Sequence, residues 1–205
     1  MKAIVAVVAV VVLAIVAYVV VKYRAIQQAA DCRAPEIVAG SMTKSADTWH
    51  INFTTRINAP LDRVFEAFQH PERAAEFAPE NVMKSTIVKD EGNTKVVDVI
   101  GKLDILPPGF KVQNLRTEYT VYPAEHRITG HTIDFKLADI SSEYRFEPAS
   151  AGGTTIQFSQ TSKQKQNLPT EALEKGALCE TYLTQVRAVE RALGLAQASE
   201  KRPAG

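Results

Sequence analysis

A strand pattern changes into a helix pattern within a few residues near position 58. Trp49, Ile51 and Phe53 alternate with polar neighbours, which is typical of a half-buried strand. Pro60 then opens a segment, 61–68, whose apolar residues recur at helical spacing. An abrupt strand-to-helix change, followed by further strands, excludes an all-helical bundle and predicts a mixed α+β domain.

The rest of the domain continues the same mixed pattern. A second short helix is predicted within 71–77, ending before Pro79, which cannot continue it. Six strand-like segments with turn residues between them then extend to about residue 162, and one long helix runs from Glu171 to about Leu193. Consecutive strands with short turns predict an antiparallel meander rather than βαβ units.

This order, together with the segment INAPLDRVFEAFQHPERAAEF and the later YRFEPASAGGT, resembles the START-like or SRPBCC superfamily. That superfamily includes polyketide cyclase-related proteins, lipid-transfer START domains and Bet v 1-like proteins. The resemblance covers about 49–195, and it is carried by Ile57, Ala59, Pro60, Val64, Phe65, Phe68, Pro71, Glu72, Tyr144, Phe146, Glu147, Pro148, Gly153 and Thr154. It implies a helix-grip fold: a bent antiparallel sheet around the long C-terminal helix, with an apolar cavity between them. It also implies that the first strand pairs with the last and that loops 105–110 and 135–140 gate the cavity mouth.

The N-terminal region has a different character. Ala3 to Val21 is an uninterrupted apolar run, closed by Lys22 and Arg24. As a helix it would be roughly 28 Å long, close to the hydrocarbon thickness of a bilayer. A cleaved signal peptide is the alternative, but the run is longer than usual and no cleavage motif follows. We therefore expect one transmembrane anchor at 1–24, a flexible tether at 25–46, the START-like domain at 47–195 and a disordered tail at 196–205.

The expected location is a membrane, as a single-pass protein of a bacterial cell membrane. The basic residues on the two sides of the run are nearly balanced, and they lean only slightly towards a cytoplasmic domain. Cys32 and Cys179 do not decide the redox compartment. A single disulfide between them is possible, but it would tie a flexible tether to a core helix. Cys179 alone is interpreted as an inert packing residue.

Catalytic motifs are missing from the sequence. It contains no P-loop, no G-x-G-x-x-G, no G-x-S-x-G and no H-E-x-x-H, and its four histidines and two cysteines lack metal-ligand spacing. We therefore expect no metal and no cofactor. A formal net charge of +1 also argues against nucleic acid as a partner.

The candidate ligand-binding residues are those whose strand or helix faces are predicted to look into the cavity: Phe65, Phe68, Leu106, Phe110, Tyr119, His131, Phe135, Tyr144, Phe158, Tyr182 and Val186. They predict a membrane-anchored binding or transfer protein for a hydrophobic ligand, such as a lipid or isoprenoid-like molecule. A cyclase or aromatase using His131 or a tyrosine as acid or base is one alternative. An accessory subunit of a membrane complex, with a filled cavity, is another.

Overall fold

The structure is a computed structural model that describes residues 20–21, 23–106 and 111–195. Its helices are α1 (23–31), α2 (Leu61–Phe68), α3 (Ala74–Phe77) and α4 (Glu171–Ala192). Its strands are β1 (Ile37–Ser45), β2 (Thr48–Ile57), β3 (Val82–Glu91), β4 (Thr94–Lys102), β5 (Val112–Tyr122), β6 (Arg127–Phe135), β7 (Ala138–Pro148) and β8 (Thr154–Gln164). The strands form one antiparallel sheet in the order β1-β2-β8-β7-β6-β5-β4-β3.

The predicted helix-grip fold is confirmed. β2 pairs with β8 along its whole length, from Thr48 opposite Lys163 to Ile57 opposite Thr154. The α4 helix matches the predicted C-terminal helix, and the Thr170 hydroxyl caps its start by accepting the amide of Leu173. Register shifts interrupt the pairing of β1 with β2, β3 with β4 and β5 with β6, and such bulges increase the local bend of a sheet.

The hydrophobic core fills part of the space between the sheet and α4. Phe158 of β8 stacks on Tyr182 of α4 with ring centroids 4.4 Å apart, and Tyr144 of β7 lies 4.8 Å from Phe158. Val186 is fully buried in the same cluster. This aromatic core holds α4 against β2, β8 and β7, and a cavity lies beside it, lined by residues of β4 to β8.

The prediction of a flexible tether at 25–46 is wrong, because most of this segment forms regular secondary structure. Residues 23–31 are helical, and β1 pairs with β2 from Ile37 to Ser45 as an eighth strand at the edge of the sheet. Most β1 side chains are exposed, so the strand lacks the alternation that reveals β2. Gly40 permits the pairing, because a Cβ there would collide with the Phe53 ring. The domain therefore begins well before residue 47.

Two sequence predictions lie outside the described residues. The apolar run from Ala3 is described only at its end, Val20 and Val21, and the tail at 196–205 is not described. Among the described residues, no helix is long and apolar enough to span a bilayer.

Candidate functional site: a cavity between the sheet and the C-terminal helix

A cavity of about 450 Å³ lies between the inner face of the sheet and α4. It follows α4 from Glu174 to Leu193, which is roughly 28 Å of helix. α2 and α3 cover it near the end of α4, and β4 to β8 form its floor. This size suits a ligand of drug or lipid dimensions.

The wall of the cavity is mainly apolar. Its sheet side includes Val99, Leu115, Ile128 and Ile140, and α2 and α3 contribute Phe68 and Phe77. Arg63 and Glu66 are charged lining residues on α2 and Glu174 is one in the first turn of α4, whereas Gln185, near the middle of the part of α4 that lines the cavity, is uncharged. Such a wall favours a neutral apolar ligand, because an ion brought from water would lose its hydration without gaining a partner.

Five of the predicted ligand-binding residues line the cavity: Phe68, Leu106, Tyr119, Phe135 and Tyr144. Their contact with a ligand stays a prediction. Phe110 lies outside the described residues.

Four other predicted ligand-binding residues are buried but do not line the cavity. Phe158, Tyr182 and Val186 belong to the aromatic core beside it. Phe65 instead packs edge-on against Phe146 and His126, each at 5.3 Å between ring centroids. An inward-facing side chain in this fold can thus meet either the core or the cavity, and the alternation pattern does not separate the two.

The prediction that His131 faces the cavity is wrong. Its side chain is exposed, and its Nδ1 lies 3.1 Å from the Ser141 hydroxyl. The cause is a bulge: Thr117 pairs with Thr132 and Arg116 with Asp134, so Ile133 is an extra residue. Alternation is inverted across that residue, so Phe135 faces inwards while His131 faces outwards.

Tyrosine hydroxyls provide neutral polar groups in the cavity. The Tyr144 hydroxyl donates to Oε1 of Gln185, whose side chain also lines the cavity. Burial raises the pKa of Tyr144 well above its usual range, with the nearby Tyr119 and Tyr182 adding to the shift. Burial also raises the pKa of Tyr119. These phenols therefore stay protonated near neutral pH and serve as hydrogen-bond donors rather than bases.

Gly130 on β6 makes room for the Tyr119 ring. A Cβ at this position would lie 2.8 Å from the Ser142 hydroxyl oxygen and 3.4 Å from Cε1 of Tyr119. Gly130 is paired with Tyr119 on β5 and with Ser142 on β7. The missing side chain therefore lets an aromatic residue lie over the strand and form part of the wall.

Glu174, in the first turn of α4, is a buried carboxylate at one end of the cavity. It is 3% exposed. Its Oε2 accepts from Nζ of Lys44 at 2.6 Å and from Nε1 of Trp49 at 3.1 Å, and its Oε1 accepts from the amide of Leu168 at 3.3 Å. These contacts join β1, β2 and the segment before α4, so the carboxylate ties these elements together at this end of the cavity.

The cavity face of α4 was missed because it is not hydrophobic. Glu174, Leu178, Thr181, Gln185, Ala188 and Ala192 share one helical face and line the cavity. The residues predicted to line the cavity, Tyr182 and Val186, belong to the neighbouring apolar stripe of α4, which packs on the core. The sequence signal that could have revealed the cavity face is a stripe of small and polar residues at the same helical spacing.

Metal ligands are not gathered in this site. In the part of the chain that the structure describes, no three His, Cys, Asp or Glu side chains stand close enough to hold an ion.

Known structures share this architecture at low sequence identity. The Zhui aromatase/cyclase from a Streptomyces species matches with a TM-score of 0.57 and 16% identity, covering 71% of this chain and 96% of that one. A START superfamily protein from Mycobacterium smegmatis gives 0.57 and 15%, covering 71% and 97%. The major latex-like protein 151 from Panax ginseng gives 0.57 and 13%, covering 72% and 98%. These likenesses show the fold alone.

No curated protein matches the chain. The family model described as polyketide cyclase / dehydrase and lipid transport matches residues 48–193. That match includes the β2 strand, the whole cavity floor and α4. The chain therefore belongs to this polyketide cyclase and lipid transport family of the SRPBCC superfamily.

Proposed function

We propose that the protein is a membrane-anchored carrier or binding protein for a neutral hydrophobic molecule, lipid or isoprenoid-like, that bears an oxygen function. The single observation that carries this proposal is the cavity of about 450 Å³, with an apolar wall and uncharged polar groups in its middle. Burial of the ligand's apolar surface supplies affinity, and a few placed hydrogen bonds set its orientation. Tyr119, Tyr144 and Gln185 are the groups that would contact the ligand's oxygen.

The anchor in this proposal is the apolar run from Ala3 to Val21. The disulfide between Cys32 and Cys179 supports a domain on the oxidising side of the membrane, because such bonds are rare in reducing compartments. The charges that flank the apolar run oppose this side only slightly, because they differ by very few residues.

The test is native mass spectrometry of the full chain in detergent, with extraction and identification of bound lipid. We expect a defined apolar molecule to remain bound. An Ala177→Phe variant places a ring in the cavity and should lose the ligand, while Ala172→Phe on the same helix, away from the cavity, should keep it. An empty wild-type protein that takes up nothing from a mixed lipid extract would refute the carrier.

An aromatase- or cyclase-like enzyme is the second candidate. The buried Tyr119 and Tyr144 hydroxyls favour it, because protonated phenols could polarise a carbonyl in a bound chain. If the ligand is a substrate, Tyr144→Phe should abolish turnover while the ligand stays bound. The accessory-subunit alternative predicts a filled cavity, and the open space does not favour it.

A further inference from the structure

Residues 29–36, ahead of β1, lie along α4 and are called the strap below. Three contacts hold it: Ala29 and Ala30 against Gly176, the disulfide of Cys32 with Cys179, and the ion pair of Glu36 with Arg187 at 3.1 Å. As the strap advances from 29 to 36, its partners advance from 176 to 187. The strap and α4 therefore run in the same direction, over about 16 Å of helix.

The beginning of α1 projects off the domain. Ala30 is buried at 7% exposure, whereas Val21 is 64% and Tyr23 is 61% exposed. Tyr23 lies seven positions before Ala30, about 10 Å of helix, and Gly176 is only about 8 Å from the start of α4. α1 therefore leaves its contact with Gly176 close to the N-terminal end of α4.

The cavity ends there in an apolar rim, formed by Leu103, Phe135, Leu137 and Leu168, all half-buried. Two hydrogen bonds, from the amides of 165 and 166 to the carbonyl of Leu137, join the two sides of this rim. Ile105, two residues after Leu103, lies against Gly176 where α1 packs. The apolar rim and the departing end of α1 are therefore neighbours.

The opposite end of the cavity has a polar rim, formed by Arg63, Glu66, His70 and Arg73. All four are exposed. The Arg191 guanidinium donates to the carbonyl of Phe77 at 2.7 Å, which fixes this end beside the last turn of α4. Charged groups resist entry into a bilayer, whereas half-buried leucines and a phenylalanine favour it.

Lysines surround the apolar rim on its loops: Lys102, Lys111, Lys136 and Lys165. Asp104 pairs with Lys111 at 2.5 Å and with Lys102 at 3.6 Å, and Asp139 pairs with Lys165 at 2.5 Å. Long lysine stems can lie along apolar surface while the ammonium groups reach lipid phosphates. This arrangement suits the boundary between acyl chains and headgroups.

We infer that the disulfide-bonded strap holds the domain with its apolar rim against the lipid bilayer, so that ligand passes directly between membrane and cavity. The inference rests on the proposed membrane-anchored carrier. Only seven residues separate Val21, the last residue of the apolar run, from Ala29, where the strap meets α4. As helix this is about 12 Å, so the rim beside α1 is held close to the membrane surface.

The test uses the full chain in liposomes whose acyl chains carry bromine near the headgroup. Trp49 is the one tryptophan in the sequence and is 1% exposed. The fluorescence of the wild-type protein therefore gives the background emission of Trp49. A Leu137→Trp variant adds a probe on the apolar rim, and Glu66→Trp adds the matched probe on the polar rim. Leu168→Trp replaces the first probe if that variant does not fold.

We expect brominated lipid to reduce the added emission of the apolar-rim probe at least twofold and to leave that of the polar-rim probe unchanged. Equal quenching of both probes, quenching of neither, or quenching of Glu66→Trp alone would overturn the inference. Flotation of the liposomes distinguishes a missing anchor from a wrong orientation of the domain, because protein that lacks the anchor does not float with the liposomes. Lipid retained in native mass spectra tests the carrier independently.

Discussion

Cys32 is disulfide-bonded to Cys179 across 147 residues of sequence, with the two Cα atoms 5.7 Å apart. The bond joins a residue just after α1 to the buried middle of α4, where Cys179 is 2% exposed. Segment 29–36 is therefore part of the domain. The interpretation of Cys179 as an inert packing residue is wrong, because its sulfur is bonded to that of Cys32 and closes a covalent loop across 147 residues.

Loss of this disulfide should destabilise the domain. Replacing both cysteines, as Cys32→Ser with Cys179→Ser, should lower the free energy of unfolding by about 3–5 kcal/mol, because the loop no longer restricts the unfolded chain. Denaturant unfolding of the full chain in detergent measures this. Reductant should destabilise the wild type and leave the double variant unchanged; a wild type indifferent to reductant would contradict the assignment of the disulfide.

The buried carboxylate of Glu174 should matter more than its position in the first turn of α4 suggests. Glu174→Gln removes the charge that faces Lys44 and Trp49, and we expect a loss of about 1–3 kcal/mol. The loss is smaller than for a fully buried ion pair, because the Lys44 side chain is 22% exposed and can turn to water. Trp49 emission reports unfolding directly.

Glu171→Gln is the matched control for that variant. Glu171 is also in the first turn of α4, so both substitutions remove the same favourable interaction with the helix dipole. It is exposed, however, and should cost only about 0.5 kcal/mol. Equal losses in the two variants would mean that the buried contacts of Glu174 contribute nothing to stability.

The strands with one clearly buried face could be predicted from the sequence. β2 alternates strictly because one face meets the core and the other meets solvent, and α2 shows the same contrast at helical spacing. β1 escaped because an edge strand with mostly exposed side chains has no such contrast. Its attachment depends on Gly40 and on the pairing of Lys44 with Glu174, 130 residues away, which no local pattern records.

The candidate site was predicted only in part, for a related reason. Alternation identifies which residues face inwards but not whether they meet core or cavity, so Phe135 and Phe158 looked equivalent. The extra residue Ile133 then inverted the phase of β6 and turned His131 outwards. On α4 the cavity face carries Thr181 and Gln185, because a wall that is not packed against other side chains has no need to be apolar.

Gly130 provides a test of the cavity wall. Gly130→Ala should cost about 1–3 kcal/mol, because the new methyl group would overlap the Ser142 hydroxyl and press on the Tyr119 ring. Adding Ser142→Gly should recover most of the loss by removing the closest atom. Gly101→Ala is the control on β4, since its nearest neighbour would be 3.7 Å away. Thermal unfolding compares the three variants, and equal costs at Gly130 and Gly101 would refute the tight fit.

The buried tyrosines predict a loss of stability in alkali. Burial raises the pKa of Tyr182 to about 12 from an ordinary value of 10.0, and its hydroxyl is hydrogen-bonded to that of Thr55. The unfolded chain therefore ionises first, so the contribution of this group is fully present below pH 10 and is lost as the pH rises towards 12. Tyr144, with its pKa also raised, adds to the same trend.

Tyr182→Phe should weaken that pH dependence. The variant loses the hydrogen bond to Thr55, about 1 kcal/mol at neutral pH. Between pH 9 and 11, however, its free energy of unfolding should fall less steeply than that of the wild type, because one of the shifted phenols is gone. Tyr122→Phe is the control, since Tyr122 lies on the Arg127 guanidinium at 3.7 Å, outside the aromatic core. Identical slopes in the wild type and in Tyr182→Phe would show that the Tyr182 hydroxyl ionises as readily in the folded protein as in the unfolded chain.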